Sequence, residues 1–266
     1  MLSQLEAALM MEVQGLFLDY DGTISPINAP REEARVSEEM QAILSQIKQL
    51  IPVGIITTKG MGFIVPRTPF ASAWCAIAGL EMKIGERLII DPRIQEAMPR
   101  VELALEYAIE SSDNLLFVEE KKVSTGQSVA FCLDWRHSRD LKEAEARAVK
   151  VLDYCQNLLL EVVTYEGQPF FDVYPCPVDK GKALAELKRN FNLESGVMYL
   201  GDSKVDNPAF KTADISIGVR HEESAGDLDC DYYVQFGEVV GLLRGIMGNN
   251  LVFDRRSPEI TVRRRA

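Results

Sequence analysis

The 266-residue chain has only two histidines, His137 and His221, and neither lies in a motif, so a mechanism built on a histidine base has no support. Its five cysteines (Cys75, Cys132, Cys155, Cys176, Cys230) form no CxxC pair and mostly sit in apolar runs. That excludes a zinc ribbon or a disulfide scaffold and reads as reduced packing residues. Basic charge is also scarce. With 29 Lys+Arg against 40 Asp+Glu and a net charge of -11, the chain offers no basic surface of the kind that neutralises a nucleic-acid backbone. No apolar run approaches the length of a membrane span, and the first residues carry Glu6 and Glu12 with no basic leader, so a soluble, cytoplasmic protein is expected, with neither nucleic acid nor membrane as partner. Repeats and low-complexity stretches are absent. The basic cluster Arg263, Arg264 and Arg265 reads as a solvated tail.

What the sequence does hold is one arrangement used twice. Leu16, Phe17 and Leu18 run straight into Asp19, Tyr20, Asp21, Gly22 and Thr23; later Val197, Met198, Tyr199 and Leu200 run into Gly201, Asp202, Ser203, Lys204, Val205 and Asp206. Crowding four carboxylates at the ends of buried strands is costly unless a cation neutralises them, and an all-oxygen set of this kind suits Mg²⁺.

At 47% hydrophobic the chain can bury a large core, and its length fits two unequal domains. Gly15–Leu18 and Val53–Ile56 read as buried parallel strands, with Met40, Ile43, Leu44 and Ile47 at helical spacing between them and Ser37 as the helix N-cap. A third strand over residues 75–78 and a hairpin over 81–90 follow. The pattern then changes to helix (94–111), strand (115–118), strand (128–133), long helix (139–157) and strand (159–164), which is expected to make its own α+β unit. From residue 171 the strands alternate with helices again: 171–174, 197–200, 215–217 and 232–234, with a closing helix at 239–247. The expected fold class is α/β, a doubly wound, mostly parallel Rossmann-like sheet formed by residues 1–90 and 171–266, with residues 91–170 as an inserted α+β cap domain.

Open α/β sheets place ligands at the carboxyl ends of their strands, and Asp19, Asp21, Thr57, Asp202 and Asp206 all fall there, with Lys180 at a helix start. One carboxylate can attack phosphorus if a metal offsets the repulsion between anions. A second, two residues on, can protonate the leaving oxygen and then activate water. A hydroxyl and an ammonium can hold the transferring oxygens. A lysine at a helix N-terminus opposes the helix dipole and so needs another reason to be there.

These residues resemble the four motifs of the haloacid dehalogenase superfamily phosphatases: Asp19-Tyr20-Asp21-Gly22-Thr23, Ile56-Thr57, Lys180, and Gly201-Asp202-Ser203-Lys204-Val205-Asp206. The position of the insert is similar to that of the type IIB cap of sugar phosphatases. Within the superfamily, Leu18 to Ile27 and Val178-Asp179-Lys180-Gly181-Lys182-Ala183 are most similar to the trehalose-6-phosphate phosphatases. The resemblance implies Asp19 as nucleophile and metal ligand, Asp21 as general acid/base and ligand through its backbone carbonyl, and Thr57 and Lys180 as holders of the phosphoryl group. It implies Asp202 as an Mg²⁺ ligand, with Asp206 supporting the metal site or Lys180. Glu119, Lys121 and Arg136 resemble a cap segment that contacts the sugar, and Thr58-Lys59 stands where the family usually has Gly-Arg. The expected activity is that of an Mg²⁺-dependent phosphoric monoester hydrolase acting on a small phosphorylated metabolite, a sugar phosphate such as trehalose-6-phosphate. Two other readings stay open: a non-catalytic sugar-phosphate sensor on the same fold, and a phosphomutase.

Overall fold

The computed structural model describes residues 9–27, 33–165, 167–221 and 227–262; the basic cluster Arg263, Arg264 and Arg265 and most of the N-terminal segment lie outside these. The chain divides into two compact units, one comprising Met1–Thr58, Phe63–Leu88 and Asp179–Ala266, the other Lys59–Gly62 and Ile89–Val178.

The first part of the chain forms β1 (Met10–Glu12), β2 (Gly15–Leu18), α1 (Glu38–Lys48), β3 (Val53–Ile56), α2 (Met61–Ile64), β4 (Ala73–Ala76), β5 (Glu81–Ile84) and β6 (Arg87–Ile90). The middle forms α3 (Arg93–Ser112), β7 (Phe117–Lys122), β8 (Ser128–Asp134), α4 (Leu141–Asn157), β9 (Glu161–Thr164) and β10 (Phe170–Tyr174). The last part forms α5 (Lys180–Asn190), β11 (Val197–Gly201), α6 (Asn207–Thr212), β12 (Ile215–Arg220), β13 (Tyr232–Gln235), α7 (Val239–Gly248), β14 (Val252–Asp254) and β15 (Ile260–Val262).

Nine strands make one sheet in the order β15-β13-β12-β11-β2-β3-β4-β5-β6, and the run from β13 to β4 is parallel throughout. Every residue of β2, β3 and β11 is buried, as their unbroken apolar composition requires of strands covered on both faces. The covering helices pack in pairs, α1 with α7 and α5 with α6. α1 begins where the sequence sets it, with the Ser37 side chain accepting from the Met40 N–H at 3.2 Å. Leu200 lies opposite Leu18 and Leu18 opposite Ile55, so the carboxyl ends of β11, β2 and β3 are level with one another. Asp202, Asp19 and Thr57 therefore leave the sheet at one edge.

The smaller unit is a four-stranded antiparallel sheet in the order β7-β8-β10-β9, with α3 and α4 packed on its Phe131, Leu133, Phe171 and Val173 side chains. Here one expectation is corrected. The sequence places the strand at 171–174 in the parallel sheet, whereas β10 pairs antiparallel with both β8 and β9. The physical reason is local: β9 and β10 are separated by five residues, a length that closes a hairpin, whereas a parallel neighbour needs a crossover of a dozen or more. β1 and β14 pair antiparallel as a separate two-stranded sheet and β15 lies at an edge of the large sheet; at three residues each, these strands carry no periodicity that the sequence could show. No described helix is long and apolar enough to cross a membrane. None of the five cysteines is in a disulfide, and Cys75, Cys155 and Cys230 are buried.

Candidate active site

The first acidic loop is a tight turn. The Tyr20 carbonyl accepts from the N–H groups of Thr23, Ile24 and Ser25 (3.3, 3.1 and 3.0 Å), while the Gly22 N–H donates to the Ser25 carbonyl at 2.8 Å. The turn needs a left-handed residue, and Gly22 supplies it at φ +71°. It also needs a residue with no side chain, because a Cβ there would lie 2.0 Å from Asp202 Oδ2. The turn carrying Asp21 thus rests directly on the carboxylate from the second acidic loop.

Asp19 is buried at the end of β2, its N–H donating to the Leu200 carbonyl at 2.9 Å. Lys180 opens α5, whose N-cap Asp179 accepts from the Gly181 and Lys182 N–H groups at 2.8 and 3.2 Å. The Lys180 ammonium is buried, 3.0 Å from Asp19 Oδ1 and 2.7 Å from Asp206 Oδ1. These two carboxylates supply the reason for a cation at a helix start. Close approach of α5 to this region depends on Gly181, where a Cβ would lie 2.4 Å from the Pro208 carbonyl oxygen.

Asp206 is fully buried and holds the second loop together. Its Oδ1 accepts from Lys180 Nζ and from the Tyr199 hydroxyl at 2.6 Å; its Oδ2 accepts from the N–H groups of Asp202 and Ser203 and from Ser203 Oγ at 3.2, 3.1 and 3.1 Å. Carboxylate oxygens of Asp19, Asp202 and Asp206 all lie within 4.8 Å of one another. Because both oxygens of Asp206 are already taken by donors, the carboxylates best placed to face an ion are those of Asp19 and Asp202. The Asp21 side chain is not part of this cluster of three; its backbone forms an isolated bridge with Ser25.

The electrostatics show a site short of positive charge. Burial raises the Asp19 pKa, Lys180 pulls it back, and Asp206 and Asp21 push it up again, leaving it at about 7. Burial likewise lifts Asp202 well above the ordinary carboxylate range, with Asp19 and Asp206 adding to the effect. Burial opposes the charge on Lys180, but Asp19 and Asp206 outweigh it and its pKa lies above the usual lysine value. One lysine does not balance this many carboxylates. A hard divalent cation held by oxygen ligands fits both the donor set and the missing charge.

Thr57 is buried at the end of β3, where its carbonyl accepts from the Ala78 N–H at 2.8 Å and its own N–H donates to the Cys75 carbonyl at 2.9 Å. Thr58 follows it in the larger unit. The other expected substrate contacts belong to the smaller unit. Lys59 pairs with Glu119 at 3.7 Å, while Lys121 is buried with its ammonium 2.5 Å from Asp172 Oδ1, and Asp172 Oδ2 accepts from the hydroxyls of Tyr165 and Tyr174. Arg136 lies on the surface over the Phe170 ring and folds back on Asp134, Nη2 to Oδ2 at 2.6 Å.

Two residues at the site escaped the sequence reading. Tyr199 sits inside an apolar strand and reads as core until its hydroxyl is seen to meet Asp206. His221 follows β12, and its Nε2 lies 2.7 Å from the Gly22 carbonyl. A search of every strand end for polar residues, rather than of motifs alone, would have marked it.

Comparison with known proteins converges on one family. Residues 104–233 match the model of the haloacid dehalogenase-like hydrolases. Over those residues the chain is similar to the haloacid dehalogenase-like hydrolases. It is 24% identical over 254 residues to a probable trehalose-phosphate phosphatase I of Arabidopsis thaliana, covering 87% of this chain and 67% of that protein. It is 27% identical over 219 residues to the trehalose 6-phosphate phosphatase RA3 of Zea mays, covering 74% of this chain and 58% of that one. The chain therefore spans little more than half to two thirds of the length of these relatives. Solved structures share the fold. The C-terminal domain of a C. albicans trehalose-6-phosphate phosphatase superposes with a TM-score of 0.71 at 18% identity, over 88% of this chain and 93% of that chain. A subclass IIB sugar phosphatase superposes with a TM-score of 0.61 at 14% identity, over 90% of this chain and 100% of that one. The expected fold class, with its inserted α+β domain, is thereby established.

Proposed function

We propose that the protein is an Mg²⁺-dependent phosphatase that hydrolyses a sugar phosphate through an aspartyl-phosphate, with trehalose-6-phosphate as the leading substrate. The observation that carries this reading is the Asp19, Lys180, Asp202 and Asp206 cluster, in which a buried carboxylate sits beside a buried ammonium and within one ion's reach of a second carboxylate. The relatedness to trehalose-phosphate phosphatases supports the choice of substrate class.

Asp19, Asp202 and the Asp21 carbonyl would hold the metal. When bound, it screens the repulsion between the Asp19 carboxylate and the phosphoryl oxygens. Lys180, already 3.0 Å from the Asp19 oxygen, places a positive charge where those oxygens gather, and Thr57 contributes a donor from the neighbouring strand end. Asp19 attacks phosphorus, the bond from phosphorus to the sugar oxygen breaks, and Asp21 gives that oxygen its proton. Asp21, now a carboxylate, takes a proton from water as the water attacks phosphorus; the bond to Asp19 breaks and phosphate leaves. The inserted domain would serve as the sugar-binding cap and exclude water during turnover; Lys59, Glu119, Lys121 and Arg136 in the smaller unit and Thr58 in the larger are the candidate substrate contacts.

The test is phosphate release from p-nitrophenyl phosphate and from trehalose-6-phosphate at fixed Mg²⁺. Hydrolysis abolished in Asp19→Asn supports the reading. No hydrolysis of any phosphorylated sugar by the wild-type protein, or an isomerised sugar in place of free phosphate, overturns it.

A further inference from the structure

The two acidic loops are joined by a third, and the joint is a histidine. β12 lies beside β11 in the parallel sheet, so the residue that follows it, His221, emerges at the same edge as Asp202. Its Nε2 is 2.7 Å from the Gly22 carbonyl oxygen. A carbonyl can only accept, so this nitrogen must carry the hydrogen, which fixes the ring as an Nε2–H donor. The same nitrogen lies 3.9 Å from Asp202 Oδ2, and the ring is stacked on Phe236 with centroids 5.2 Å apart and planes 30° apart. Stacking leaves the imidazole little freedom to turn away. Gly22 in its turn touches Asp202, since a Cβ on it would fall 3.2 Å from His221 Nε2 and 2.0 Å from the carboxylate.

The geometry points to His221 as a positioning residue for the cation site. By clamping the Gly22 carbonyl it presses the Asp21–Gly22 turn against Asp202 and sets the spacing between the two loops that present oxygen ligands. This inference rests on the divalent-ion reading above and goes beyond it, because it gives the ion's affinity a determinant outside every motif that carries an aspartate.

Removing the clamp should loosen the ligand spacing, as loss of an outer-sphere partner of a metal ligand generally does. The experiment is calorimetric titration of the metal-free 266-residue protein with Mg²⁺ alone, for wild type, His221→Phe and His221→Gln. Phenylalanine keeps the stacking on Phe236 and loses the donor; glutamine restores an N–H at about the same reach. Mg²⁺ affinity is expected to fall by about 10-fold or more in His221→Phe and to stay within about 3-fold of wild type in His221→Gln, with unchanged melting temperatures in the absence of metal. Should the phenylalanine variant not fold, His221→Ala takes its place in the comparison. Wild-type affinity in the variant without the donor, or equal losses in both variants, overturns the role of His221 while leaving the metal site standing. Wild-type protein that binds no Mg²⁺ removes the site and this role together, and wild-type protein that binds Mg²⁺ without hydrolysing phosphate esters sinks the phosphatase reading alone.

Discussion

Tyr199 and Lys180 share one oxygen: the phenol donates to Asp206 Oδ1 at 2.6 Å and the ammonium to the same atom at 2.7 Å. Burial and the Asp206 charge hold the Tyr199 pKa well above its ordinary value, so at neutral pH it is a donor. Tyr199→Phe should cost about 1–3 kcal/mol in urea unfolding, the range for a buried hydrogen bond to a charged group. Phosphate release should fall by less than about 10-fold, because Lys180 keeps its bridge to Asp19. A loss as large as that of a Lys180 variant would show that the phenol, not the ammonium, sets the position of Asp206.

Lys180 is the sole buried ammonium shown between Asp19 and Asp206 among the described residues, so its removal leaves uncompensated negative charge in a dry environment. Lys180→Met should destabilise the metal-free protein by about 3–5 kcal/mol and lower kcat for p-nitrophenyl phosphate by about 10²–10³-fold. Lys180→Arg is expected to rescue poorly. A planar fork cannot meet two carboxylate oxygens from the position of a compact ammonium. Stability by denaturant titration and kcat at saturating Mg²⁺ separate the two effects.

How much of this was legible beforehand follows from where the information is stored. β2, β3 and β11 are continuous apolar runs closed by acids, so both the strands and the edge that gathers Asp19, Thr57 and Asp202 could be read from composition and alternation alone. Lys180 was legible because it violates a local preference at the start of α5. β10 was misplaced because its burial pattern suits either sheet, and only its short separation from β9 decides. Tyr199 and His221 were hidden for a different reason. Their roles lie in contacts with Asp206 and Gly22, 7 and 199 residues away, and no periodicity encodes such a contact. The pairing of Lys121 with Asp172 was likewise invisible, since it joins strands 51 residues apart.

That pairing makes a prediction for the smaller unit. Lys121 and Asp172 are both buried; burial raises the Asp172 pKa, but the Lys121 ammonium, helped by the two tyrosine donors, holds it below the ordinary value. Asp172→Ala would strand the ammonium and should cost about 3–5 kcal/mol. Arg136→Ala, which removes the surface pair with Asp134, should cost less than about 1 kcal/mol. If Arg136→Ala nonetheless raises KM for trehalose-6-phosphate, its role is in substrate contact; an unchanged KM removes it from the candidate set.

Acidity offers a test of the cation site that needs no substrate. The Asp19 carboxyl sits at about 7 in the metal-free protein against 3.8 ordinarily, and Asp202 is shifted in the same direction. A folded-state value above the unfolded one means that the native protein binds the proton more tightly. The resulting stabilisation is full below the unfolded value and is lost as the pH rises through about 7. With chelator present, the melting temperature should therefore fall between about pH 5.5 and pH 8. Mg²⁺ neutralises the same carboxylates that the proton would, so its stabilising effect should grow over that interval and be small at the acid end. Asp19→Asn, which cannot ionise, should shrink the pH dependence of the metal-free protein. A melting temperature that rises toward pH 8 in chelator and is unaltered by Asp19→Asn would rule out this account of the site's charge.

Gly22 gives the sharpest steric prediction. At φ +71° an alanine would be strained by about 1–2 kcal/mol, and its Cβ would fall 2.0 Å from Asp202 Oδ2, so the carboxylate or the turn must move. Either movement changes the spacing on which the ion depends. Gly22→Ala is therefore expected to lower Mg²⁺ affinity by more than the backbone strain alone lowers stability, and to do so with Asp19 and Lys180 still paired. The strain contribution can be measured apart, by comparison with Gly126→Ala: that glycine also has a positive φ, +90°, but a Cβ there meets nothing within 4 Å. Equal Mg²⁺ affinity in the two variants would mean that contact between the Gly22 turn and Asp202 does not set the geometry of the site.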